Sequence, residues 1–168
     1  MSRGCVESDT AFCVNIVMRI SRHYKEALIQ SCIEQQQLLQ ESILSQIHLV
    51  EEAAKNYGPN KDRYDGFRNQ QVRQANVLDK QLQSILSHIE SLQAIQLSRV
   101  HDIVSFGALL ETDRALFLIC TGLGVVAFRH DKVVVLSMTA PIFSVMDGKR
   151  SGERFTFNGV THHIEAII

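Results

Sequence analysis

Asp62 and Asp65 stand three residues apart in the stretch Asn60-Lys61-Asp62-Arg63-Tyr64-Asp65-Gly66-Phe67-Arg68. In a helical turn both would project on one side, about 5–6 Å apart at Cβ. Two carboxylates so placed can share a hard cation such as Mg²⁺, which takes oxygen ligands and keeps several of its waters. Two carboxylates alone make a weak site, so a partner would have to supply further ligands. The same residues also suit a structural role, because aspartate at the start of a helix caps free N–H groups and complements the helix dipole. Spacing alone leaves both roles open. Tyr64 and Phe67 put aromatics at the same place, suited to docking or to packing of the turn onto its own shaft. Arg63 and Arg68 can pair with the aspartates or with phosphate.

Other chemistry finds little support. The four cysteines, Cys5, Cys13, Cys32 and Cys120, form no C-x-x-C pair and no Cys/His cluster of zinc-finger spacing. They are expected to be reduced thiols of a cytoplasmic protein. His162 and His163 are adjacent on a strand-like run and point to opposite faces, so they do not share a metal with each other or readily with His101 or His130. No Ser/His/Asp order, phosphate-binding Gly-rich loop or H-E-x-x-H motif occurs. The net charge of −1 and pI near 6.6 give no broad basic surface for nucleic acid. No segment reaches the ~18 apolar residues of a membrane span, and the run Ala11 to Met18, broken by Asn15, does not read as a secretory signal. A charged helical pattern follows Met18 at once, so a translation start there is an expectation that mass spectrometry of the native N-terminus would check. Residues 1–21 read as an irregular extension.

The elements around the aspartates are legible from periodicity. Residues 22–55 lack Gly and Pro, and Leu28, Cys32, Leu39, Ile43, Ile47, Val50 and Ala54 recur at helical spacing. Asn56-Tyr57-Gly58-Pro59 then stops the helix. Ala75, Leu78, Leu82, Ile85, Ile89 and Leu92 form a heptad seam with Gln71 as a polar extension. Two long helices joined by a short turn predict an antiparallel coiled-coil hairpin over 22–98, its tip at about 56–68, with no spare wide apolar face. Pairing of each helix with another chain is the alternative, and the turn favours the monomeric hairpin.

From residue 99 the period becomes strand-like. Strands are expected at Ile103 to Thr112, Ala115 to Cys120, Gly124 to Phe128 and Lys132 to Ser137. A short helix should begin near Pro141 and end at Gly148. Glu153 to Phe157 and Val160 to Ile167 should form a hairpin around Asn158-Gly159. The fold class is α+β: a helical hairpin, then an antiparallel sheet domain at 99–168 with one short helix and a core on its inner face.

Three motifs in that domain resemble the Gre family of bacterial transcript-cleavage factors. Val104-Ser105-Phe106-Gly107-Ala108-Leu109-Leu110 is similar to the family's V-x-F-G-A/S-x-V strand. Ser137-Met138-Thr139-Ala140-Pro141-Ile142 and Met146-Asp147-Gly148-Lys149-Arg150-Ser151-Gly152-Glu153 are similar to its S-x-x-S-P-L and L-x-G-K-x-x-G-D. Phe155-Thr156-Phe157-Asn158-Gly159-Val160 completes the series. The tip is similar to the G-D-K-Y-E-T-G-R tip of Gre-like proteins of the Bacteroidetes. The resemblance implies an FKBP-like sheet domain that docks on RNA polymerase, with Pro141, Ile142 and Phe143 among the contacts. It implies a hairpin that enters the secondary channel with Tyr64, Phe67 and Arg68 at the partner surface. Asp62 and Asp65 would then be the catalytic pair, helping to hold an Mg²⁺ shared with the polymerase for cleavage of backtracked RNA. The protein would have no cofactor of its own and would be no free-standing enzyme. Pro59 stands where the family has its first tip aspartate and Arg63 where it has asparagine. Those departures fall on the cleavage chemistry rather than on polymerase binding, so a non-cleaving regulatory paralogue is an alternative. A coiled-coil adaptor unrelated to transcription is another. A prolyl isomerase is disfavoured by the absence of Trp and the few aromatics available to line a pocket.

Overall fold

The computed structural model describes residues 20–55 and 65–168, and the side chains of these except at 54, 55, 65, 67 and 68. The expectations for residues 1–19 and for the tip at 56–64, including Met18, Asp62 and Tyr64, lie outside the described residues. Helix α1 spans Arg22–Lys55 and α2 spans Asp65–Gln93, followed by β1 (Leu109–Thr112), β2 (Leu116–Cys120), β3 (Gly124–Phe128), β4 (Asp131–Ser137), α3 (Phe143–Met146), β5 (Arg154–Phe157) and β6 (Val160–Ile167). The fold class is the expected one. The chain divides into a unit of the residues up to Ser31 with Ala94–Ile168, and a second unit of Cys32–Gln93. The division falls inside α1, so its first ten residues go with the sheet rather than with the hairpin.

In the hairpin unit the predicted seam of α2 holds throughout. Leu78, Ile85, Ile89 and Leu92 are buried and Gln71, Ala75 and Leu82 half-buried. On α1 the stripe runs through Cys32, Gln36, Gln40, Ile43, Ile47 and Val50. Leu39, expected on that stripe, is 51% exposed, and Gln36 at 8% takes its place. Leu38, Leu44 and Leu49 are exposed as well. Leu38 and Leu49, eleven residues apart, share one side of the helix with Ser42 and Ser45 between them, and Leu44 lies on another, so the exposed faces are less polar than expected but carry no continuous apolar stripe.

In the other unit the six strands form one sheet in the order β3-β4-β2-β1-β6-β5. Every neighbouring pair is antiparallel except β2 and β4, which are parallel. The sheet is thus mixed at one pair, because the β3–β4 hairpin folds back with β4 rather than β3 beside β2. The Asn158-Gly159 turn is as expected: Phe157 pairs with Val160, and both turn residues have positive φ, 50° and 77°. One face of the sheet packs Leu110, Phe117, Ile119, Phe155 and Ile164 against Phe143 and Met146 of α3, with Val104 and Ala108. The opposite face is buried too, through Leu109, Leu116, Leu118, Val133 and Val135, which corrects the expectation of a core on one face only. The first turns of α1 lie on this second face. Ser21 caps α1 by accepting the Tyr24 N–H at 3.1 Å. Tyr24 then sets its ring edge-on to Phe128 at 5.2 Å and donates its hydroxyl to Asp131 at 3.0 Å.

Candidate functional site

The structure places the candidate residues in two groups. The first is the junction between the helices. Asp65 is the first residue of α2. Phe67 and Arg68 fall in the same first turn. Asp62 and Tyr64 lie outside the described residues, so the cation pair expected from Asp62 and Asp65 has no geometry here. Among the described residues no group of three or more His, Cys, Asp or Glu side chains could hold a metal ion.

The second group lies in the sheet unit. Pro141 is exposed, Ile142 half-buried and Phe143 buried at 5% in the core. Phe143 is therefore removed from the expected partner surface, because α3 turns its ring onto Met146 and the sheet. Ser144 Oγ donates to the Pro141 carbonyl at 2.7 Å and fixes the turn that presents Pro141. Ser137 and Thr139, on either side of exposed Met138, share a hydroxyl–hydroxyl bond of 2.8 Å.

The motif segments converge. Val104 N donates to Lys149 O at 2.8 Å and Gly148 N to Val104 O at 3.1 Å, joining the first motif to the second. Gly152 N donates to Ile164 O and Ile164 N to Glu153 O, joining the second to β6. The Glu153 carboxylate accepts the Arg150 N–H at 2.6 Å and closes the loop between them. Gly107 has φ +84°, and a Cβ there would come within 3.2 Å of Ile95 Cγ2. Side chains are thus excluded at Gly107 by both conformation and space. These motif residues build the fold; the exposed chemistry lies between them.

Two arrangements, at Tyr24 and at Lys25, carry no sequence signal because their partners are far apart in the chain, and a third, at His101, is bonded locally. Tyr24, Phe128 and Asp131 form the contact described above. Arg129 has φ 55° and stacks over the Tyr24 and Phe128 rings at 5.6 and 5.2 Å, a cation–π arrangement that offsets the cost of a left-handed non-glycine residue. Lys25 is 2% exposed and donates from Nζ to Ile168 O at 3.1 Å. Burial, with Arg22 nearby, pushes its amine down to about 8. His101 is buried, with Nδ1 2.9 Å from Ser105 Oγ. Burial first, then Lys25 and Arg99, push its imidazole below the usual range. Elsewhere, the Asp113 carboxylate accepts the His163 N–H at 2.9 Å, which holds its pKa down. Asp113 lines a recess of about 230 Å³ with Glu111, Arg114, His130, Asp131 and Lys132. Its mixed charges select no one ligand. His162 stacks on Phe155 at 4.9 Å, which makes it a packing residue rather than a ligand.

No family model matches the sequence, and no curated protein matches it. Among solved structures the chain is similar to GreA factor homolog 1 (Gfh1) of Thermus thermophilus, at 16% identity over 86% of this chain and 94% of that one, with a TM-score of 0.32. It is also similar to Gfh1 of Thermus aquaticus, at 13% identity over 86% and 94% of the two chains, with a TM-score of 0.32. Superpositions of that quality carry no argument, and the architecture stands on the element order and strand pairing described above. No helix is long and apolar enough to cross a membrane.

Proposed function

We propose that the protein is a Gre-type factor that binds RNA polymerase and inserts its hairpin tip into the secondary channel. The observation that carries the reading is the convergence of the motif segments. Residues resembling the family's pattern at 104–110, 146–153 and 155–160 are separated in sequence, and main-chain bonds bring Val104 to Gly148 and Lys149, and Gly152 and Glu153 to Ile164. An accidental match would have no reason to be assembled in this way. The long hairpin that precedes the sheet in the chain supports the same reading. In it the sheet unit docks through the Pro141-Ile142 turn. The tip delivers Asp62 and Asp65, which would hold an Mg²⁺ together with polymerase carboxylates, and Tyr64, Phe67 and Arg68 line the channel. Pro59 and Arg63 favour a second outcome at the same site, occupation of the channel without cleavage.

The test is a backtracked elongation complex of the cognate polymerase, with 3′ shortening of the RNA followed over time. Shortening that falls at least tenfold on Asp62→Ala and Asp65→Ala supports cleavage. Binding without shortening supports a channel-occupying regulator. Absence of binding to the polymerase overturns both.

A further inference from the structure

Of the sulfur-bearing side chains among the described residues, one faces water. Cys32 and Met146 are 0% exposed and Cys120 is 6% exposed, whereas Met138 is 51% exposed. Burial also pushes the Cys32 thiol up to about 11, so at neutral pH it stays protonated and is a poor nucleophile. A thioether has no proton to lose, and exposure governs its access to an oxidant.

The backbone around Met138 accounts for that exposure. Ala140 N donates to Ser137 O at 3.0 Å and Phe143 N to Ala140 O at 2.9 Å, closing two consecutive turns at the end of β4. Met138 and Thr139 are the middle residues of the first turn, and Pro141 and Ile142 those of the second. The Ser137 and Thr139 hydroxyls bond to each other at 2.8 Å, which ties together the residues on either side of Met138. Its side chain is thereby presented to solvent beside exposed Pro141 and half-buried Ile142. A pliant, polarizable thioether suits an apolar contact at such a place.

We propose that Met138 is an oxidation site that gates docking of the sheet unit: a peroxide converts it to the sulfoxide and weakens the partner contact made by the adjacent turn. The sulfur lone pair attacks one peroxide oxygen, the O–O bond breaks, and the other oxygen leaves as water after proton transfer. Sulfur is oxidised by two electrons and the peroxide is reduced. A thiol-dependent reductase reverses the step, its thiols going to a disulfide and the oxygen leaving as water. The sulfoxide adds a polar acceptor that an apolar contact would bury without a partner. In the free protein that acceptor stays in water, so the fold is unaffected. The identity of the partner rests on the function proposed above; the selectivity for Met138 does not.

The experiment treats the full chain with hydrogen peroxide and follows oxygen uptake at each sulfur on its own proteolytic peptide. Met138 should oxidise at least about tenfold faster than Met146. The treated protein should melt as the untreated one does and bind RNA polymerase at least about fivefold more weakly. Methionine sulfoxide reductase with thiol should restore binding. Met138→Leu, whatever its own affinity, should show one affinity before and after treatment. Equal rates at Met138 and Met146 overturn the site. Unchanged wild-type binding after full conversion of Met138 overturns the gating, as does an equal loss of binding in treated Met138→Leu. Absence of binding by the untreated chain is a different failure: it removes the polymerase reading and the gate with it, while the two oxidation rates still decide the site.

Discussion

The sheet unit and the hairpin bury their apolar residues in different ways. In the sheet unit both faces of β1 and β2 are closed, and Leu109, Leu110, Leu118, Ile119, Val133 and Val135 are each 0% exposed. In the hairpin the seam is one residue wide, and Leu78, Ile85 and Ile89 retain 6–9% of their surface. A side chain enclosed on all sides leaves a cavity when truncated, whereas a seam beside water can relax around the gap. The sheet unit is therefore the rigid half, where most residues have structural duties. The hairpin has residues to spare, and the exposed Leu38 and Leu49 show how loosely its outer face is specified.

The largest effect should separate the two halves by magnitude. Leu118→Ala is expected to cost about 4 kcal/mol, near the upper end for buried leucine, and Ile85→Ala about 2 kcal/mol. Calorimetric melting of both variants checks this. Equal losses would mean that the seam is as tightly enclosed as the core.

A second pair should separate them by sign. Gly107→Ala forces a positive φ and meets Ile95 at 3.2 Å, for an expected loss of about 1–3 kcal/mol. Gly66 lies in the first turn of α2 with nothing within 4 Å of an added Cβ and without a positive φ. Gly66→Ala should gain up to about 1 kcal/mol from helix propensity. Thermal melts of the two alanine variants test the contrast, and a gain at Gly107 would break it.

Much of this division was legible in the sequence, for identifiable reasons. The α2 seam and the Asn158-Gly159 hairpin depend on local period and turn chemistry, and both are in place. Leu39 misled because spacing alone cannot tell which of two neighbouring positions faces a partner. Gln36 occupies the seam through His88, 52 residues away. The parallel β2–β4 pair escaped because short apolar strands read alike whether they lie next to each other or one place removed. Phe143 read as surface because it follows Pro141 in a family motif, yet α3 turns it inward. The second buried face was hidden for the same reason as the Tyr24–Asp131 bond: both rest on the start of α1, more than 100 residues from the strands it meets.

A pH-dependent effect sharpens the comparison along α1 itself, which has a buried polar side chain in each unit, Lys25 in the first and Gln36 in the second. Gln36 is neutral at every pH, whereas Lys25 titrates. Its amine is pushed down from 10.5 to about 8 by burial and by Arg22. Between those values the unfolded chain binds a proton that the folded protein has released, so stability rises with pH across that window. Below about pH 8 the lysine is charged in both states and the burial penalty is fully present; above about 10.5 it is neutral in both and the penalty is gone. Lys25→Met lacks this titration. Its melting temperature relative to wild type should thus be most favourable below pH 8 and should lose ground steadily towards pH 10.5. The Cys32 thiol, pushed up to about 11 by burial, has the opposite slope, but it is present in both proteins and cancels in the difference. Gln36→Leu measured over the same range should differ from wild type by a constant amount. A pH-independent difference for Lys25→Met would show that the amine keeps an ordinary pKa, and that this end of α1 is as open to water as the hairpin.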